Sequence, residues 1–164
     1  MSGKHSGGTP ATEALSAAEV TFTLHPYTHH DDSHDFGAEA ARELGVDELR
    51  IFKTLVVDIG VGRPPLAVGI VPVAGQLDLR AFAAALDAKK AVMAKPEEAA
   101  RTSGYVVGGI SPIGQKTPLP TVLDETAQLF DTIFVSAGKR GLQVELSPTD
   151  LLAITGARWG DIAR

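Results

Sequence analysis

Two apolar runs constrain this 164-residue chain more than anything else in it: IFKTLVVDI at 51–59 and PLAVGIVPV at 65–73, separated by GVGRP. Both are dense in Val, Ile and Leu, and Gly and Pro punctuate their ends. β-Branched residues at that density favour extended chain, and the punctuation stops a helix from growing. The five residues between them suit a hairpin loop, though not a tight two-residue turn. The pair therefore reads as two strands of one hairpin.

The remaining elements are placed around that hairpin. Residues 1–8, rich in Gly and Ser, read as a disordered tail. Thr9 then looks like an N-cap with Pro10 at the first helical position, opening a helix to about Ala18. Val20, Phe22 and Leu24 alternate with polar residues, so VTFTLH is a half-buried strand. GAEAARELG at 37–45 is a short helix closed by Gly45. Asp78 caps a helix over LRAFAAALD, a short strand AVMA follows, and Pro96 opens the helix PEEAARTSG. The Gly- and Pro-rich stretch 104–120 is a long shaped loop. TVLDE, TIFVSAG and LQVELS are strands, and SPTDLLAIT is a closing helix capped by Ser147. Strands and helices alternate irregularly, which predicts a mixed sheet in a single α+β domain over 9–164.

Composition bounds the partners. The chain is 44% hydrophobic with only 5% aromatics, so Ala, Val, Leu and Ile must fill one core. No apolar run approaches the length of a membrane span, and the first fifteen residues hold no apolar stretch, so neither a span nor a signal peptide is expected. There is no Cys, which removes disulfides, thiolate metal sites and a Cys nucleophile and is consistent with a cytoplasmic protein. The net charge of −5 leaves little basic surface for nucleic acid, so any such contact should be local or helped by a partner.

Four stretches could carry chemistry. HPYTHHDDSHDF at 25–36 holds four of the five histidines. His25 and His29 have the H-x-x-x-H spacing of a helical zinc site, but Pro26 pushes the residue before it out of the helical region. The segment reads as a polar loop with a structural role, in which Tyr27 and Phe36 can wall a pocket; a loop folded round a metal ion is the other reading. Lys53 lies on an otherwise apolar strand face with Ile51, Leu55 and Val57, so it either snorkels at a sheet rim or sits in a lined pocket. GGISPIGQKTPLP at 108–120 nearly matches a phosphate-binding P-loop, but Gln115 intrudes and Pro118 and Pro120 forbid the helix that must come next. It reads instead as a rigid loop whose glycines allow close backbone approach, with amides that could meet a carbonyl or phosphate oxygen. VSAGKRGLQVEL at 135–146 is a strand, a tight basic turn and a strand: an exposed hairpin, or a turn presenting amides and cations to an anion.

FKTLVV, VPVAGQLDL, SGYVVGGISPIGQK and VSAGKRGLQVEL, in this order, resemble the YbaK/EbsC family and, within it, the bacterial Cys-tRNA(Pro) deacylases. The resemblance covers roughly residues 9–164. It implies a mixed, barrel-like sheet flanked by helices, shared with the editing domain of bacterial prolyl-tRNA synthetases. It also implies a trans-editing hydrolase that deacylates mischarged Cys-tRNA(Pro) with no cofactor, no metal and no protein nucleophile, the substrate's own thiol attacking its ester. The family's invariant lysine falls on Lys53, with Thr54 beside it. The family's small-residue loop falls on Gly108, Gly109, Ile110, Ser111, Pro112, Ile113 and Gly114. Its basic turn falls on Ser136, Gly138 and Lys139, and its loop aromatics on Tyr27 and Phe36. The implied partners are the 3′ end of mischarged tRNA(Pro) and, in a transient complex, prolyl-tRNA synthetase. Two positions depart from the family pattern: Gln143 stands where relatives carry Asp, and Ala137 where a second glycine is common. The resemblance leaves three alternatives: a deacylase for another ester such as Ala-tRNA(Pro), a non-catalytic module that binds aminoacyl-tRNA or the synthetase, and the metal hydrolase suggested by the histidines.

Overall fold

The structure, a computed structural model, describes residues 8–164, so all of the expected tail except Gly8 lies outside the described residues. The chain runs α1 (Pro10–Ala17), β1 (Thr23–Pro26), α2 (Phe36–Leu44), β2 (Phe52–Asp58), β3 (Leu66–Pro72), α3 (Leu79–Ala85) and β4 (Val92–Met93). It continues through α4 (Pro96–Ser103), β5 (Thr121–Asp124), β6 (Ile133–Lys139), β7 (Leu142–Leu146), α5 (Pro148–Thr155) and β8 (Arg158–Gly160). The caps explain the helix bounds. Thr9, Asp35, Asp78 and Ser147 each accept a first-turn N–H, and Gly45, Gly104 and Gly156 close their helices at positive φ.

The two apolar runs form the expected hairpin, with β2 and β3 paired antiparallel from Phe52↔Pro72 to Asp58↔Leu66. Every residue of β3 is buried, which is why its sequence shows no alternation. The five-stranded sheet has the order β4-β2-β3-β5-β8, antiparallel as far as β3 and parallel beyond it. A three-stranded antiparallel sheet has the order β1-β7-β6. The α+β class and mixed pairing are as expected. The barrel-like character comes from two sheets meeting at the Ile51↔Phe134 bridge, not from one closed sheet.

Three local differences have physical reasons. The first strand pairs only over 23–26, and Val20 and Phe22 are spent on the core, packing into it ahead of the ladder. Pro26 is tolerated in it because β1 is an edge strand. The third difference is the chain end. β8 and a 3₁₀ turn over Glu125–Leu129 were not expected, and both hang on the buried Asp124. Its Oδ2 accepts from Thr126 N at 3.2 Å, and its Oδ1 accepts from Ile162 N and Ala163 N, each at 3.0 Å.

A second carboxylate ties the two sheets together. Glu145 on β7 accepts from Thr132 Oγ1 at 2.5 Å and Arg50 Nη2 at 3.0 Å, and faces His25 Nε2 at 2.8 Å. Arg50 Nε also donates to Thr132 O at 2.8 Å and its guanidinium lies 5.1 Å over the Phe134 ring. The Thr132 hydroxyl, opposed by burial and aided by His25 and Arg50, holds the Glu145 carboxyl below its ordinary value of 4.5.

Asp124→Ala should destabilise the fold by about 2–3 kcal/mol in urea unfolding, since three N–H donors lose their acceptor. Lowering pH should also expose Glu145. A carboxyl with a depressed folded pKa stabilises the fold above its unfolded value and loses that contribution as pH falls through the folded one. The urea midpoint should therefore drop below about pH 4.5 less steeply in Glu145→Gln than in wild type.

Candidate active site

The site begins with a strand edge that has been left half covered. β2 is bridged to β6 at Ile51↔Phe134 and paired with β4 only at Val57↔Met93 and Asp58↔Val92. Between those points residues 52–56 have, among the described residues, no strand on the side away from β3. Val73 N donates to Ile51 O at 2.9 Å, and on the opposite edge Ala94 N donates to Val56 O at 3.1 Å. Alternation along an antiparallel ladder then turns the N–H and C=O of Thr54 towards the gap. A cavity of about 300 Å³ occupies it. Its floor is the 51–56 stretch, one wall comes from Met93, Ala94 and Ala99, and the other from Tyr27, Phe36, Ser136 and Gln143.

Lys53 is half-buried on the cavity floor. Among the described residues its side chain makes neither an ion pair nor a hydrogen bond. Of the two readings of this lysine, the structure favours the lined pocket. Its neighbour Thr54 contributes a buried Oγ1, and Gln143 across the cavity a buried Oε1, both without a hydrogen-bond partner.

The histidine-rich loop is pinned by carboxylates. His29 Nδ1 meets Glu39 Oε1 at 2.7 Å and His30 N donates to Glu39 Oε2 at 2.8 Å, while His25 faces Glu145. Glu39 lies fully buried on α2. Burial pushes its carboxyl up, but the His29 hydrogen bond, the His30 N–H and both nearby imidazoles together hold it lower than usual. Among the described residues no three His, Asp or Glu side chains gather as a metal site would require. The histidines act as fasteners that set Tyr27 and Phe36 against the cavity. Burial raises the Tyr27 phenol, opposed by hydrogen bonding from Gly141 and Gln143.

Three segments meet at the mouth. The Arg140 guanidinium lies 5.0 Å from the centre of the Phe36 ring, and Arg140 Nε donates to Val107 O at 2.9 Å. Gly108 has φ 89°, and a Cβ there would stand 2.6 Å from the Phe36 ring. Only glycine fits between the loop and the aromatic.

Of the residues expected to bind substrate, Tyr27, Phe36, Lys53, Thr54, Gly108 and Ser136 line the cavity. Gly109, Ser111, Pro112, Gly114, Gly138 and Lys139 do not; they shape what surrounds it. A Cβ on Gly109 would meet Lys139 Cα at 2.7 Å, so this glycine lets the loop lie on the basic turn. Buried Ser111 accepts from Ile113 N at 3.2 Å, and Gly114 packs on the Pro10 carbonyl. Pro112 is buried in the same loop, Gly138 sits against Tyr105 and Thr9, and Lys139 is exposed. Sequence patterns alone did not assign Gln143, Met93, Ala94 or Val107 to the cavity. Gln143 left a signal: L-Q-V-E-L puts one buried amide among apolar neighbours. The others are ordinary apolar side chains, and only the missing strand beside β2 makes them a wall.

The Aminoacyl-tRNA editing domain model matches residues 30–154. A protein of Enterococcus faecalis provisionally named Cys-tRNA(Pro)/Cys-tRNA(Cys) deacylase EbsC is 40% identical over 154 residues, 94% of this chain and 92% of its own. A crystal structure of a protein provisionally described as a trans-editing enzyme for prolyl-tRNA synthetase is 26% identical, with TM-score 0.80 over 94% of this chain and 95% of that one. A hypothetical protein of known structure is equally similar, with 26% identity and TM-score 0.82 over 94% of this chain and 99% of that one. The match spans the gapped edge of β2, its lysine, the glycine loop and the basic turn together, and this chain belongs to the aminoacyl-tRNA editing domain family.

Proposed function

We propose that this protein is a trans-acting deacylase that removes cysteine from mischarged tRNA(Pro). The observation that carries the reading is a lysine with no partner among the described residues, on an open strand edge and lining a small cavity between two pinned walls. The relative named for Cys-tRNA(Pro) and Cys-tRNA(Cys) supports the choice of ester.

In this reading the aminoacyl group enters the cavity and the terminal ribose stays at the mouth. The cysteinyl sulfur attacks its own ester carbonyl, a C–S bond forms, and the C–O bond to the ribose breaks. The thiol proton goes to the leaving ribose oxygen, and the cyclic thiolactone is hydrolysed afterwards by water. The chain's task is to hold thiol and carbonyl in reacting geometry. Lys53 stabilises the negative charge that develops on oxygen, and the N–H of Thr54 on the open edge is available to the carbonyl. With a net charge of −5, the protein should grip the tRNA body weakly, so selection of tRNA(Pro) falls to a transient complex with prolyl-tRNA synthetase. Such a substrate places the protein in the cytoplasm.

Wild type, with chelator present, should cleave Cys-tRNA(Pro) and spare Ala-tRNA(Pro), which has no thiol. Lys53→Ala should lose about 100-fold or more in rate while its circular dichroism stays unchanged. An intact Cys ester after incubation with wild type would overturn the reading. Without synthetase, Cys-tRNA(Cys) and Cys-tRNA(Pro) should be cleaved at rates within about tenfold; a strong intrinsic preference for tRNA(Pro) would remove the need for a partner.

A further inference from the structure

Two residues that line the cavity carry a side-chain oxygen with no hydrogen-bond partner among the described residues. Gln143 Oε1 and Thr54 Oγ1 are, among the described residues, the solvent-shielded side-chain atoms without a hydrogen-bond partner, and both residues line this one cavity. Folded chains pair nearly all such atoms, so two exceptions in one place call for a ligand donor. Gln143 is only 7% exposed. Its neighbours Leu142 and Val144 point into the main core, so alternation turns Gln143 to the opposite face. Tyr27 lines the same cavity, and it is the amide oxygen of Gln143 that is left open.

The remaining polar equipment of the cavity defines the complement. Lys53 can only donate, so it needs an acceptor; Gln143 Oε1 can only accept, and the Thr54 hydroxyl can accept beside it as well as donate. An aminoacyl ester carries both: carbonyl oxygen at one end of its short skeleton and an ammonium with three N–H groups beside it. The cysteine thiol is a weak donor, and a charge-assisted N–H bond is the stronger claim on these oxygens. Glutamine supplies the acceptor without a negative charge, so it does not compete with substrate for Lys53.

We propose that Gln143 Oε1, together with Thr54 Oγ1, accepts hydrogen bonds from the α-ammonium of the bound aminoacyl group. This inference rests on the deacylase reading above and deepens it. The site then selects esters with a free amino group and discriminates against N-acylated ones, peptidyl esters included.

The test compares cysteinyl and 3-mercaptopropionyl esters of one tRNA(Pro), which share the thiol and differ in the amino group. Wild type should prefer the cysteinyl ester in kcat/KM by about tenfold or more. In Gln143→Leu that ratio should collapse towards one, in Gln143→Glu it should be kept or rise, and in Thr54→Val it should fall part of the way. A Gln143→Leu enzyme that slows on both esters equally would mean that the amide only shapes the cavity wall, and would overturn the assignment. So would a Thr54→Val ratio unchanged from wild type, which decides the matter even if Gln143→Leu fails to fold. Wild type cleaving both esters equally removes the amino-group contact and leaves the deacylase reading standing. Wild type cleaving neither removes the deacylase reading first, and this inference with it.

Discussion

The β2–β3 ladder is the constraint on which the rest of the molecule depends. β3 is buried at every position, with β2 on one edge and β5 on the other. It has no polar face to offer, so it can only be the middle of a sheet. β2 is thereby held along its full length from one side, and its other side is free to be used. β4, two residues long, covers one end of that edge, and the bridge to β6 covers the other. Between them runs a strand whose position is set by one neighbour and whose chemistry faces away from it.

The walls around this edge are held by charge and hydrogen bonds, since the chain has few aromatics for packing. Glu39 fastens the histidine loop to α2, and Glu145 fastens β1, β7 and the segment before β2 to one another. Arg140 closes the mouth over Phe36 and Val107. Burial makes a carboxylate costly, fully for Glu39 and in part for the half-buried Glu145, but each has several partners, and the outcome is a carboxyl that stays ionised below its ordinary range.

Much of this was legible in the sequence because local rules and tertiary packing agree. Thr9-Pro10, Asp78, Pro96 and Ser147-Pro148 mark helix starts through their own hydrogen bonds or ring geometry, and those helices begin there. The β2–β3 hairpin was visible from composition alone. β8 was not, since Arg158–Gly160 becomes a strand only because β5 offers an edge and Asp124 holds the amides of Ile162 and Ala163 just beyond it. For the site, pattern alone left Lys53 between rim and pocket, since alternation gives a side but not the group across from it. The histidines stand out by number, whereas their partners, Glu39 and Glu145, sit ten and 120 residues away in the chain. Gln143 stands out in the sequence as a departure, but its vacant oxygen can be seen only when its surroundings are known.

The two edges of β2 divide labour in a way that bears on how such a pocket can change over time. Foldedness is concentrated on the β3 side, where all seven residues of β2 are paired. The cavity side is finished by pieces such as Met93 and Val107, which are 49% and 39% exposed and take little part in the core. Exchanging them reshapes the chamber without disturbing the ladder, so new ester preferences can be sampled at small risk to the scaffold. A strand that is indispensable on one side is, on the other, a bench on which substrate range can be reworked.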